Sequence, residues 1–165
     1  MVATVSLHVW NSSPLADSGA IVGGIDLISA DNADYDAANR ASHPITVGQN
    51  SYEKWIRAHI TVDPDNWIGH FKIWGDGGVD AGTTLRYGST GTGVEPTASA
   101  SVVAVTDFTT AIVGTKGSWD ATVRDLADLA ISPYSTFLVL QLQTSVAAAP
   151  GDFTTETMNY EYQEG

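Results

Sequence analysis

The chain has 165 residues, with 7 Lys+Arg against 19 Asp+Glu and no cysteine, giving a formal charge of −12 at pH 7. That length is usual for one domain and long enough to bury ~70% of the unfolded surface without disulfides or metal, and 43% hydrophobic residues make it too apolar for intrinsic disorder. The charge opposes a nucleic-acid partner, which needs clustered Lys and Arg to release counterions from phosphates, and the absent cysteines remove thiolate chemistry and Cys-ligated zinc.

Strand periodicity dominates. Val5, Leu7 and Val9 alternate with Thr4, Ser6 and His8, so residues 1–10 read as a half-buried strand; with no basic flank, the run is not expected to be a signal peptide. Asn11, Ser12, Ser13 and Pro14 supply turn chemistry. Residues 21–28 are apolar but loosened by Gly23 and Gly24, where a bulge or close backbone approach is expected. The polar stretch 31–40 suits a loop or a single helical turn capped by Asn32.

Residues 51–74 carry the clearest pattern. Ile56, Ala58, Ile60 and Val62 alternate with Trp55, Arg57, His59 and Thr61, then Asp63, Pro64, Asp65 and Asn66 predict a turn before a second strand over 67–74. Pairing Val62 with Trp67 makes a hairpin with one apolar face. Its other face places Trp55 opposite Trp74, Arg57 opposite Lys72 and His59 opposite His70. Glycines at 75, 77 and 78 predict a turn with Asp76, residues 83–87 a short strand, and the Gly/Ser/Thr-rich run 88–101 an extended loop or arm.

Residues 102–105 and 109–113 are short strand candidates. Trp119, Val123, Leu126 and Ala130 recur at helical spacing, with Ser118 as N-cap and Pro133 just beyond, which predicts one short helix over 118–130. Residues 137–142 read as a central buried strand, and 154–162 as a last strand with Met158, Tyr160 and Tyr162 on one face. Eight or nine short strands without strand–helix alternation predict an all-β, antiparallel β-sandwich or jelly roll as a single domain over 1–165. No run approaches ~20 apolar residues, so no membrane partner is expected.

Catalytic and cofactor motifs are not met. The glycine-rich run 88–93 lacks the Lys and the following helix of a phosphate loop, and no serine sits in a G-x-S-x-G elbow. Asp31, Asp34 and Asp36 suggest calcium, but the required glycine and glutamate are missing at the sixth and twelfth positions; Asp76 with Asp80 is weaker still. His59 with His70 offers two imidazoles and no third ligand. The expectation is therefore no enzyme, no cofactor and no metal. The candidate interface is the predicted hairpin face of Trp55, Arg57, His59, His70, Lys72 and Trp74, which either packs inside the molecule or binds an acidic partner surface, another copy included. Its paired tryptophans could also stack on sugar rings, making carbohydrate a further candidate partner.

Residues 51–57 (SYEKWIR), residues 66–74 (NWIGHFKIW), the Thr/Gly-rich stretch 81–101 and the terminal 154–162 resemble small structural proteins of tailed-bacteriophage virions. That resemblance implies a multicopy capsid decoration (cement) protein, or a tail or neck component as the nearest variant. Its partners would be the major capsid protein and copies of itself, as a homo-oligomer. It would be made in the host cytoplasm and sit on the outer capsid surface, where a charge of −12 is easier to place than against packaged DNA.

Overall fold

The computed structural model describes residues 1–32, 36–75, 79–108, 116–149 and 157–165. Within them run β1 (Thr4–Asn11), β2 (Ala16–Ala20), α1 (Ala37–Ser42), β3 (Lys54–Val62), β4 (Trp67–Gly75), β5 (Thr83–Thr90), β6 (Thr106–Asp107), β7 (Gly117–Asp125), α2 (Leu126–Ile131), β8 (Phe137–Thr144) and β9 (Met158–Glu164). The strands form two sheets, ordered β2-β1-β3-β8-β5-β6 and β7-β4-β9, and every recorded strand pair is antiparallel. The all-β expectation holds. Among the described residues, no helix is long and apolar enough to cross a membrane.

β3 and β4 form where the alternation places them, but they are not a hairpin. β3 pairs with β1 and β8, whereas β4 pairs with β7 and β9. The four residues between them carry the chain from one sheet to the other. Their apolar faces do come together, as parts of one core: Ile56, Ala58 and Ile60 join Ile68, Phe71 and Ile73 with Leu85, Trp119, Leu138 and Leu140. Hydrophobic periodicity reports which face is buried, and a buried face is satisfied equally by a neighbour across the core or beside it in the sheet. The strict alternation also breaks in β4. A register irregularity at Gly69–Phe71, with His70 at φ 54°, turns Ile68 and Phe71 both inward.

The helix expected over 118–130 is mostly strand. Residues 117–125 pair with β4, and only Leu126–Ile131 are helical. Ladder hydrogen bonds and the burial of Trp119 outweigh a weak helical spacing. The N-cap is Asp125 rather than Ser118: its carboxylate accepts from the Ala127 and Asp128 N–H groups while Asp128 reaches back to the Asp125 N–H. A second short helix, α1, is capped by Asp36 and not by Asn32. β8 is an interior strand, as its unbroken apolar run predicts. Residues 102–105 form no strand, and the candidate strand 109–113, together with Asp34, Asp76 and residues 154–156, lies outside the described residues.

The glycine-rich run does not project as an arm. Residues 88–90 extend β5 against Val139, Leu138 and Phe137, and the loop that follows is fastened to the sheet by the buried Gln141 side chain. Gln141 Nε2 donates to Ser99 O (2.7 Å) and Ser51 O (3.1 Å), and its Oε1 accepts from the Ser101 N–H (2.9 Å). At Gly88 the covering chain comes so close that a Cβ would overlap the Val103 carbonyl, whereas at Gly91 it would meet open space. Gly88→Ala should therefore cost about 1–3 kcal/mol as an overpacking change and Gly91→Ala under about 0.5 kcal/mol, read from urea unfolding midpoints. Equal costs would mean that residues 101–105 do not cross above Gly88.

Candidate functional site

The six candidate interface residues divide between two sheets, so the continuous aromatic–basic stripe does not exist. Trp55 has no exposed surface; its Nε1–H donates to Glu53 Oε2 at 3.0 Å, and it packs with Ala104, Phe137 and Val139 in a second, smaller core under the covering loop. It is closed to sugar stacking. Arg57 is caged: its guanidinium lies 4.7 Å from the Phe137 ring centroid, 4.9 Å from that of Tyr134 and 5.4 Å from that of Trp10, and Nε–H donates to Ser135 O at 2.6 Å.

His70, Lys72 and Trp74 sit on β4 of the other sheet. His70 meets Trp67 edge to face at 6.2 Å. Lys72 Nζ lies 3.7 Å from Glu161 Oε1 and Lys116 Nζ 2.5 Å from Glu161 Oε2, while the Lys116 ammonium stands 4.6 Å from the centroid of half-buried Trp74. The Lys116 hydrogen bond, with Lys72 behind it, holds the Glu161 carboxyl below its usual range. Two lysines thus share one carboxylate of β9, a strand that pairs only with β4 among the described strands.

His59 belongs to a cluster that its predicted pairing with His70 did not foresee. On the face of the six-stranded sheet opposite the main core, β1 presents Ser6, His8 and Trp10 beside His59, Arg57 and Trp55 of β3, rung by rung. His8 Nδ1 lies 3.0 Å from both Asp17 carboxylate oxygens, and its Nε2 lies 3.1 Å from Ser6 Oγ and 3.3 Å from His59 Nδ1. Tyr134 bridges to His59 across the backbone, stacks on its ring at 4.5 Å, and donates its hydroxyl to Asp17 Oδ2 at 2.8 Å.

These contacts set the protonation of the cluster. Burial would raise the Asp17 pKa, but the Gly19 N–H, the Tyr134 hydroxyl and His8 together overcome it and hold Asp17 below its ordinary value. Burial, then the charge of His8, lowers His59; burial, then Asp17, raises Tyr134. The sharing of a strand face by Ser6, His8 and Trp10 is legible in the alternation of β1. Asp17 and Tyr134 carry no comparable signal, because β2 (ADSGA) lacks strand periodicity and Tyr134 reaches the site from the segment before β8.

His59 and His70, on different sheets, are not joined as ligands, and among the described residues no group of three or more His, Asp or Glu is arranged to hold a metal ion. The single lysine of β3, Lys54, is buried and donates to Asn32. Comparison with protein-family models, with curated proteins and with solved structures finds no match to this chain.

Proposed function

We propose that the chain is a single-domain β-sandwich that works as a structural component of a virion, of the capsid decoration (cement) type, attached by protein–protein contacts to major capsid subunits or to neighbouring copies of itself. The observation that carries this reading is the Lys72–Glu161–Lys116 patch with Trp74, which takes in Glu161 of the edge strand β9, in a chain of net charge −12. Lysines with an aromatic ring offer an acidic partner a complementary contact, and an edge strand offers backbone for strand addition. The sandwich part of the proposal is supported by a core that draws on both sheets. The resemblance of residues 51–57 and 66–74 to small virion proteins points the same way.

The test is composition and function of particles. The protein should be stoichiometric in purified virions, and stripping it should lower their resistance to heat. Particles that lack it, or whose stability is indifferent to it, would sink the proposal. The attachment patch is tested separately with Lys72→Gln/Lys116→Gln, which should weaken rebinding to stripped particles more than Ala38→Glu/Ala41→Glu on exposed α1, a variant with the same charge change. Equal weakening would mean that only net charge matters and that the patch is not the contact.

A further inference from the structure

His8 and His59 stand on adjacent strands and turn one ring nitrogen each toward the other, with His8 Nε2 3.3 Å from His59 Nδ1. An ionised carboxylate only accepts hydrogen bonds, so the Asp17 contact requires an N–H at His8 Nδ1, and in the neutral ring the Nε2 lone pair then faces His59 and Ser6 Oγ. Both rings are held. Asp17 fixes His8, Tyr134 fixes Asp17 through its hydroxyl, and the same Tyr134 ring stacks on His59.

A tetrahedral ion with metal–nitrogen bonds of ~2.0–2.1 Å separates two nitrogen ligands by ~3.3–3.4 Å. That is the spacing of this pair. A carboxylate hydrogen-bonded to the far nitrogen of a ligating imidazole is also the usual partner of metal-bound histidine, since it selects the tautomer and orients the ring. We propose that His8 Nε2 and His59 Nδ1 form a two-imidazole site for a divalent first-row transition-metal ion, with Ser6 Oγ at its edge, Asp17 and Tyr134 as positioning residues, and water completing the coordination. Binding requires the His59 proton to sit on Nε2, a tautomer change that leaves the ring neutral. The spacing as it stands suits tetrahedral Zn²⁺, and the affinity order of nitrogen ligands still favours Cu²⁺ over Ni²⁺ and Zn²⁺, its tetragonal geometry drawing the two rings closer together. The ion would clamp β1 to β3, and because it binds the folded form it would stabilise the protein.

The experiment titrates the full chain with Cu²⁺ and with Zn²⁺ at neutral pH, following heat by calorimetry, Cu²⁺ by electron paramagnetic resonance, and the thermal midpoint. One ion per chain is expected, Cu²⁺ tighter than Zn²⁺, with a two-nitrogen splitting and a raised midpoint. His8→Gln and His59→Gln should each weaken binding about tenfold or more and lose the splitting, and Asp17→Asn should weaken it by about 10–100-fold. His43→Gln and His70→Gln should bind as the parent does. Should a variant fail to fold, Cu²⁺ broadening of histidine ring signals in the parent protein decides: His8 and His59 must broaden first. No binding, binding that survives loss of both His8 and His59, or first broadening at His43 or His70 would overturn the site. The isolated chain is used throughout, so the result is independent of any role in a virion.

Discussion

Trp55→Ala should destabilise the protein by about 3–5 kcal/mol, the range for emptying a large aromatic from a packed core, while Trp74→Ala should cost distinctly less. Trp55 is fully buried, its ring meets Phe137 edge to face at 5.4 Å, and its indole N–H satisfies Glu53 Oε2, which would otherwise lose a partner in a buried setting. Trp74 is half-exposed and partly covered by the Lys116 side chain. Urea unfolding followed by far-ultraviolet circular dichroism gives both numbers. Similar costs would show that the covering loop does not enclose Trp55.

Asp120→Ala should cost a comparable amount, about 3–5 kcal/mol, the penalty for removing one partner of a buried ion pair. The Asp120 carboxylate accepts from the Thr136 N–H at 2.7 Å, the Thr122 N–H at 2.9 Å and Arg124 Nη2 at 2.7 Å, so it ties β7 to the start of β8. Its loss strands two backbone donors and a guanidinium whose side chain is only 12% exposed. Burial alone would raise the Asp120 pKa; the Thr136 and Thr122 N–H groups and Arg124 outweigh it, and the folded value falls below the ordinary 3.8.

The sign of the pH effect follows from that direction. A carboxylate depressed in the folded state adds stability above its unfolded pKa and loses that contribution as pH falls through the folded one. Asp17 is depressed in the same sense. Unfolding free energy should therefore drop as pH falls below about 4, and the gap between the parent and Asp120→Asn should narrow over that window. A gap independent of pH would mean that Asp120 contributes by shape and not by charge.

How far the sequence could be read is clearest along β3. Its inward residues Ile56, Ala58 and Ile60 follow from alternation, and all three are in the core. Its outward residues Trp55, Arg57 and His59 are also correctly grouped on one face. What periodicity lacked was the identity of the neighbouring strand. A four-residue turn signal between two amphipathic runs fits a hairpin, and it fits equally a crossing between sheets. The choice rests on non-local pairing: β1 lies about fifty residues before β3, and β8 about eighty after it. The candidate interface failed at that point, since half of it lies on the outer face of the six-stranded sheet, with Trp55 buried, and half on the other sheet.

The sequence by itself determined the all-β class, the extent of β3 and β4, the interior character of β8 and the acidic surface balance, because each depends on local period, composition or charge. Only the tertiary structure decided which strands are neighbours, that Trp55 and Arg57 are enclosed, that 117–125 is strand, and that His59 meets His8. Those outcomes depend on backbone hydrogen bonds and side-chain contacts between segments distant in the chain. No local pattern encodes them.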